Sequence, residues 1–303
     1  MISEKRALIL INKTSGTGKA GNDCFDIVTL IAEKGYEPVV YPIIPGTRFS
    51  SEKLLSEYDG KIDLVLCSGG DGTLNRVVSA MMEMKNKPLL SYIPTGSTND
   101  FAKGLGIPSA RSEALDIAVN GSPYTIDIGK MNDRHFNYVA AFGAFSKISY
   151  ATDQDLKNVL GYAAYIISAI AELPQEMSFS SHLRVVADGV IDEGDYIFGA
   201  VSNSASVGGM NLFGDTDIKP DDGRMELMLI KAPKSLQDFN GIITALATKE
   251  EGNPYITFKQ VRFANFYAEN DIEWTLDGEF GGSYKEIHIE VLNKAVTIMT
   301  KNS

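Results

Sequence analysis

The chain reads as an α/β half followed by an all-β half, and three observations predict that division. Up to about Thr125, continuous apolar runs alternate with amphipathic helical patterns, as in a parallel sheet whose strands are joined by helices. Beyond Thr125 come short β-rich runs punctuated by turns such as Asp188-Gly189, Glu193-Gly194 and Asp222-Gly223, the pattern of an antiparallel domain. Third, loops rich in small residues follow strands of the first half, and ligands of parallel sheets bind beyond the strands' carboxyl ends.

In order, residues 7–11 predict a buried strand and 12–21 a small-residue loop. A helix is expected over 23–33, ended near Gly35, then a strand over 38–44. The apolar run 62–66 leads into Cys67-Ser68-Gly69-Gly70-Asp71-Gly72-Thr73-Leu74-Asn75, and Arg76 to Met82 continues as an amphipathic helix. Residues 89–93 predict another strand, Pro94-Thr95-Gly96-Ser97-Thr98-Asn99-Asp100 a second turn, and 101–105 and 112–119 helices. The β-rich runs of the second half are 125–131, 136–142, 182–187, 196–202, 225–230, 256–261, 263–268, 272–276, 287–292 and 295–299. Helices interrupt them near 156–173 and 236–248. The expected domains are therefore 1–126, a Rossmann-like parallel-sheet domain on which 293–303 packs back, and 127–292, an antiparallel β-sandwich with inserted helices.

Composition narrows the function. A chain of 303 residues with 44% hydrophobic and 22% charged residues can build two cores. A net charge of −11 with no dense basic run argues against nucleic acid as a partner. Two cysteines make no disulfide framework, and with three scattered histidines they offer no zinc-ligand spacing. The N-terminus enters a strand directly, without the apolar core of a signal peptide, and 156–173 is interrupted by Lys157, Asn158, Gly161, Ser168 and Glu172. A cytoplasmic location is expected. Val159, Leu160, Ala163, Ile166, Ile167 and Ile170 give that helix one apolar face, for a core or for acyl chains, and Trp274 reads as packing.

The first turn carries the most chemistry. Strand, glycine turn and helix start present backbone N–H groups to phosphate, and glycines allow close approach and positive φ. Asp71 among them repels phosphate unless a cation lies between, which suggests phosphate held with Mg²⁺; a tight turn with Asp71 as a helix cap is the alternative. Gly16-Thr17-Gly18-Lys19-Ala20-Gly21 fits G-x-G-x-x-G, but Tyr41-Pro42-Ile43 stands where a ribose-binding acid belongs, and the Walker pattern fails at Lys13 and Ala20. Residues 215–223 fail as a calcium loop because Lys219 and Pro220 occupy its fifth and sixth places.

Taken together, Gly69-Gly70-Asp71-Gly72-Thr73-Leu74-Asn75, Pro94 to Ala102, Asp221-Asp222-Gly223 and Leu276-Asp277-Gly278-Glu279 resemble the diacylglycerol kinase catalytic-domain family of soluble lipid kinases. The resemblance implies nucleotide binding at Asn12, Lys13, Thr14, Ser15, Gly16, Gly69, Gly70, Asp71, Gly72, Thr73, Leu74, Asn75 and Ser97. Lys13 departs from the proline usual in that family. It further implies that Asp71, Asp100 and Asp127 form an acidic cluster organising Mg²⁺ on ATP, with water-facing strand-end Asp127 as the alternative. A structural Mg²⁺ would be held by the Asp222 carboxylate and the carbonyls of Lys219 and Arg224, against a metal-free turn. Glu279 would be the general base and Asp277 its positioner, although Asp-Gly is also an ordinary hairpin pair.

The expected activity is phosphoryl transfer from ATP to a lipid hydroxyl, most simply diacylglycerol to phosphatidic acid, with 127–292 as the lipid domain. Alternatives are an NAD kinase, which shares the Gly-Gly-Asp-Gly turn, and a catalytically silent lipid- or nucleotide-binding regulator. Expected partners are the membrane lipid substrate, transient peripheral contact with the inner face of the membrane, and a second copy in a homodimer.

Overall fold

The computed structural model describes residues 5–12, 24–97, 99–143, 180–203, 206–207, 210–211, 218–248 and 252–301. The chain divides into two compact units, Met1–Ile128 with Asn293–Ser303, and Gly129–Leu292. Among the described residues, no helix is long and apolar enough to cross a membrane. The predicted helix 156–173 lies outside those residues.

The first unit begins with β1 (Lys5–Ile11), α1 (Cys24–Glu33), β2 (Tyr36–Pro42) and α2 (Ser51–Glu57). It continues through β3 (Leu64–Gly69), α3 (Asp71–Met82), β4 (Leu89–Pro94), α4 (Asp100–Gly104) and α5 (Arg111–Asn120). β1 pairs parallel with both β2 and β3, and β3 parallel with β4. Parallel strands covered on both faces carry continuous apolar sequence. Accordingly Ala7, Leu8, Ile9 and Leu10 are wholly buried, and Ile27 and Ile31 of α1 close over Ile9, Leu64 and Leu66. α3 buries Leu74, Val77, Val78 and Met81, one stripe at helical spacing.

Two long strands carry the chain between the units, β5 (Ser122–Met131) and, at the end, β15 (Glu279–Thr300), whose Ile298 pairs parallel with Leu90 of β4. The second unit adds β6 (Arg134–Phe136), β7 (Val139–Gly143), β8 (Ser181–Ala187) and β9 (Val190–Ser202). After the short pair β10 (Ser206–Val207) and β11 (Met210–Asn211) come β12 (Met225–Lys231), α6 (Leu236–Thr248), β13 (Ile256–Val261) and β14 (Phe263–Leu276). Its pairings are antiparallel: β9 lies against β7, β8 and β12, while β14 lies against β7, β8 and β15. The core centres on Phe142, Phe266 and Trp274, with ring centroids 4.9 to 5.9 Å apart. Trp274 is fully buried and packs, as its sequence context suggests.

Two expected breaks are absent. Residues 263–276 form one strand through the polar stretch Glu269-Asn270-Asp271, with a register shift between Tyr267 and Ile272. Residues 279–300 likewise run as one strand through Asn293 and Lys294.

Candidate active site

In the first unit, β3 delivers the first turn and the chain passes through Gly70 into α3. Gly70 is the N-cap in extended backbone (φ −91°, ψ −178°), and no side chain caps the helix. The N–H groups of Thr73 and Leu74 both bond to the Gly70 carbonyl at 3.0 Å. A helix start without a capping side chain favours an anion. Asn12, just past β1, donates its backbone N–H to the Ser68 carbonyl (2.9 Å) and its amide to Thr73 Oγ1 (2.7 Å). Asn12, Gly70, Gly72 and Asn75 are half-buried around this turn, whereas Thr73 and Leu74 are buried. The Leu74 side chain belongs to the core, so only its backbone faces the turn's chemistry.

β4 delivers the second turn alongside the first. Thr95 N–H donates to the Gly69 carbonyl at 2.8 Å. Asn99, at φ +51°, closes the loop by accepting from Gly96 N–H (2.9 Å) and donating to the Gly96 carbonyl (2.8 Å). The two turns touch backbone to backbone: a Cβ on Gly96 would lie 2.7 Å from Gly70 Cα. Glycine is required by close approach. The expected positive φ is not found at Gly69, Gly70 or Gly72, so that part of the sequence reading is corrected. Ser97 is exposed on the second turn, and Thr98, Lys13, Thr14, Ser15 and Gly16 lie outside the described residues.

Asp71 joins the two turns. Its Oδ2 accepts from Asp100 N–H (3.2 Å) and its Oδ1 from Phe101 N–H (3.3 Å), so it caps α4 rather than its own helix. Burial pushes its carboxyl above the usual range, opposed by the N–H groups of residues 99–101 and by Lys103. Asp100 is buried, with its carboxylate 3.7 Å from the Lys103 ammonium. Asp127 is fully buried, accepting from Asn293 Nδ2 (2.9 Å) and Lys294 N–H (2.6 Å).

The sequence predicts an acidic cluster of Asp71, Asp100 and Asp127 around ATP-bound Mg²⁺; of these, Asp71 and Asp100 meet through the Asp100 N–H. Among the described residues, no three acidic, histidine or cysteine side chains converge on a metal position. Asp127 accepts the N–H of Lys294, which stands at φ +49°. Its full burial rules out the water-facing strand end of the alternative.

In the second unit, Asp277 (φ +49°) and Gly278 (φ +82°) turn β14 into β15, the paired left-handed conformation of a two-residue hairpin. Asp277 is buried. Its Oδ2 accepts from Asn137 N–H (2.7 Å), and its Oδ1 from the N–H groups of Tyr138 and Val139 (3.0 Å each). Its own N–H donates to the Val139 carbonyl at 2.9 Å. Glu279, next but one, is exposed. A fixed turn thus presents a carboxylate to solvent. Ser202 Oγ (2.7 Å) and Asn203 N–H (2.9 Å) both donate to the Tyr138 carbonyl and hold the segment beneath. Residues 137–139 and Ser202 were not foreseen, because a backbone N–H donor leaves no mark in sequence.

At the β12 approach, Asp222 Oδ1 accepts from Arg224 N–H at 2.9 Å, and Lys219, Asp222 and Arg224 are all exposed. The second carboxylate oxygen and backbone carbonyls are hard oxygen donors that suit Mg²⁺. Two residues on, buried Glu226 accepts from Gln260 Nε2 on Oε1 (3.2 Å) while its Oε2 finds no partner, and burial, with the Asp222 charge, raises its carboxyl to about 7. A groove of about 530 Å³ on α5, bordered by Glu113, Asp116 and Lys301, includes none of the predicted site residues.

A family model described as "Diacylglycerol kinase catalytic domain" matches residues 6–131. The chain is 32% identical over 296 residues to a protein named diacylglycerol kinase from Staphylococcus aureus (strain bovine RF122 / ET3-1), covering 95% of this chain and 92% of the relative. The same-named protein of strain MRSA252 matches equally, at 32% over 296 residues with 95% and 92% covered. A crystal structure of a diacylglycerol kinase from Bacillus anthracis str. Sterne superposes with TM-score 0.76 at 22% identity, covering 99% of this chain and 98% of the other. A second crystal structure from that organism gives TM-score 0.81 at 23% identity, covering 98% and 95%. At such identities the two structures show the fold, a mixed α/β chain rich in sheet.

Proposed function

The chain belongs to the diacylglycerol kinase catalytic-domain family and is a lipid kinase, a phosphotransferase, and from that premise we propose which residues act and on what. The acceptor is the free hydroxyl of diacylglycerol and the product is phosphatidic acid. Support comes from the names of the relatives, each a diacylglycerol kinase. The observation that carries the site assignment is the backbone contact of Gly70 and Gly96 beside a helix start without a capping side chain.

In this reading the parallel pairs of the first unit make a Rossmann-like nucleotide domain, and the antiparallel second unit is a β-sandwich for the lipid. As a kinase the enzyme uses ATP. The triphosphate is met by N–H groups of the turn Gly69 to Asn75, by Asn12 and by Ser97. Mg²⁺, when bound with the triphosphate, offsets charge developing on the transferred group. Asp71 fixes the two turns to one another, and its carboxylate would help hold a cation carried by the triphosphate. At the second metal position, the Asp222 carboxylate and the carbonyls of Lys219 and Arg224 would hold a structural Mg²⁺ that ties the turn.

An alcohol does not ionise at neutral pH, so a base is needed as the bond forms. Glu279 takes the hydroxyl proton while the alcohol oxygen bonds to the γ-phosphorus and the bond to the leaving ADP breaks. Asp277 positions Glu279 through its three backbone donors. Transient contact with the inner face of the membrane belongs to the same proposal, since the acceptor resides there.

Labelled phosphate transfer from ATP-Mg²⁺ to a panel of diacylglycerol micelles, sphingosine, phosphatidylglycerol and NAD tests the acceptor. Transfer to diacylglycerol alone is expected. Transfer to NAD, or to none of them with ATP still bound, overturns it.

A further inference from the structure

The turn that carries Glu279 is tethered at both ends to one segment, residues 134–139. On one side the Asp277 carboxylate accepts the N–H groups of Asn137, Tyr138 and Val139 at 2.7 to 3.0 Å. On the other, Arg134 donates a guanidinium N–H to the carbonyl of Phe280, the residue after Glu279, at 3.0 Å. We propose that Arg134 is a positioning residue for Glu279; the proposal rests on the reading of Glu279 as the base.

The need for the second tether follows from the strand pairing. Thr275 pairs with Phe280, but Trp274 pairs with Gly282, so one residue of β15 is left over directly after Phe280. A bulge disrupts the ladder and lets the strand bend there. The ladder alone therefore does not fix the strand on the far side of Glu279. Arg134 supplies a bond at that point, from outside the β14–β15 pair.

Arg134 itself stands on a fixed support. It is the first residue of β6 and pairs with Met131 across a hairpin whose tip, Asn132, sits at φ +53°. Asn132 donates its N–H to the His288 carbonyl (2.8 Å) and accepts His288 N–H on Oδ1 (2.9 Å). Lys130 of the same hairpin lies 3.5 Å from the Glu290 carboxylate. The guanidinium thus reaches Phe280 from a strand pinned to β15 several residues further along.

An exposed bond of this kind adds little to stability. Its consequence is geometric, because displacing a catalytic group by ~1 Å can cost ~10²-fold in rate. Arg134→Ala is expected to lower kcat about tenfold, leaving the KM for ATP and the melting temperature close to the parent values. Arg134→Lys, which keeps a donor on a long stem, should recover most of the loss. In a Glu279→Ala background, Arg134→Ala should lower the residual rate no further, since a residue acting through Glu279 has nothing left to position.

An unchanged kcat in Arg134→Ala overturns the proposal. So does a full additional loss on top of Glu279→Ala, or a change confined to the KM for lipid, which would make Arg134 a headgroup contact. If Glu279→Ala itself turns over normally, the base assignment fails and this proposal falls with it. A crippled Glu279→Ala beside a normal Arg134→Ala sinks this proposal alone.

Discussion

The Asp71 carboxylate accepts the backbone N–H of Asp100 at 3.2 Å, so the acid of the first glycine turn caps the helix that follows the second. That bond makes the two turns one assembly. Asp71 is structural and electrostatic at once, and the two roles separate by measurement.

Asp71→Ala should cost about 1–2 kcal/mol of stability through loss of a cap and should also abolish measurable phosphoryl transfer. The pH dependence has a definite sign. Burial raises the folded carboxyl above its unfolded value, so its contribution is full below the unfolded value and is lost as pH rises through the folded one. Thermal melts from acid to neutral pH should therefore show wild type losing stability relative to Asp71→Asn as pH climbs through and above the carboxylate range. A parallel pair of curves contradicts the burial.

Gly96→Ala places a methyl 2.7 Å from Gly70 Cα and 2.8 Å from Asn99 Oδ1. Backbone cannot yield as a flexible side chain does, so the turns must separate at about 1–3 kcal/mol. Calorimetric titration should show ATP affinity falling at least tenfold while circular dichroism stays native. Unchanged affinity would mean that the contact of the turns is not what binds the nucleotide.

Asp127→Ala leaves Asn293 Nδ2 and the Lys294 N–H without their buried acceptor. A hydrogen-bond donor that loses its buried acceptor costs about 1–3 kcal/mol, so denaturant melts should show a destabilisation of about that size. The Mg²⁺ dependence of turnover in the surviving folded protein should be unaltered. A shifted Mg²⁺ requirement with unchanged stability would instead assign Asp127 to the metal.

The strands of the first unit were legible because buried parallel strands read as unbroken apolar runs, as 7–11 does within β1. The glycine turns were legible from composition. What sequence could not give was the partner of each acid. Asp71 bonds N–H groups 29 and 30 residues away, Asp127 finds Lys294 at 167, and Asp277 finds Asn137 at 140. Every non-proline residue has the same N–H, so no residue type marks the recipient. The same ambiguity splits β15 in sequence into runs 287–292 and 295–299, whereas the strand continues through Asn293 and Lys294, where Asp127 accepts the Lys294 N–H. Residue types showed where chemistry could be, and long-range backbone bonds decided which acids were occupied.

The most direct test of the account compares wild type with Glu279→Gln for phosphate transfer from ATP-Mg²⁺ to diacylglycerol, with ATP affinity measured alongside. Glutamine keeps the shape and removes the base. The kcat is expected to fall by about 10²–10⁴-fold, the range of general-base contributions, with ATP affinity unchanged to within about a factor of two. Undiminished turnover, or a loss that follows weakened ATP binding, would contradict it.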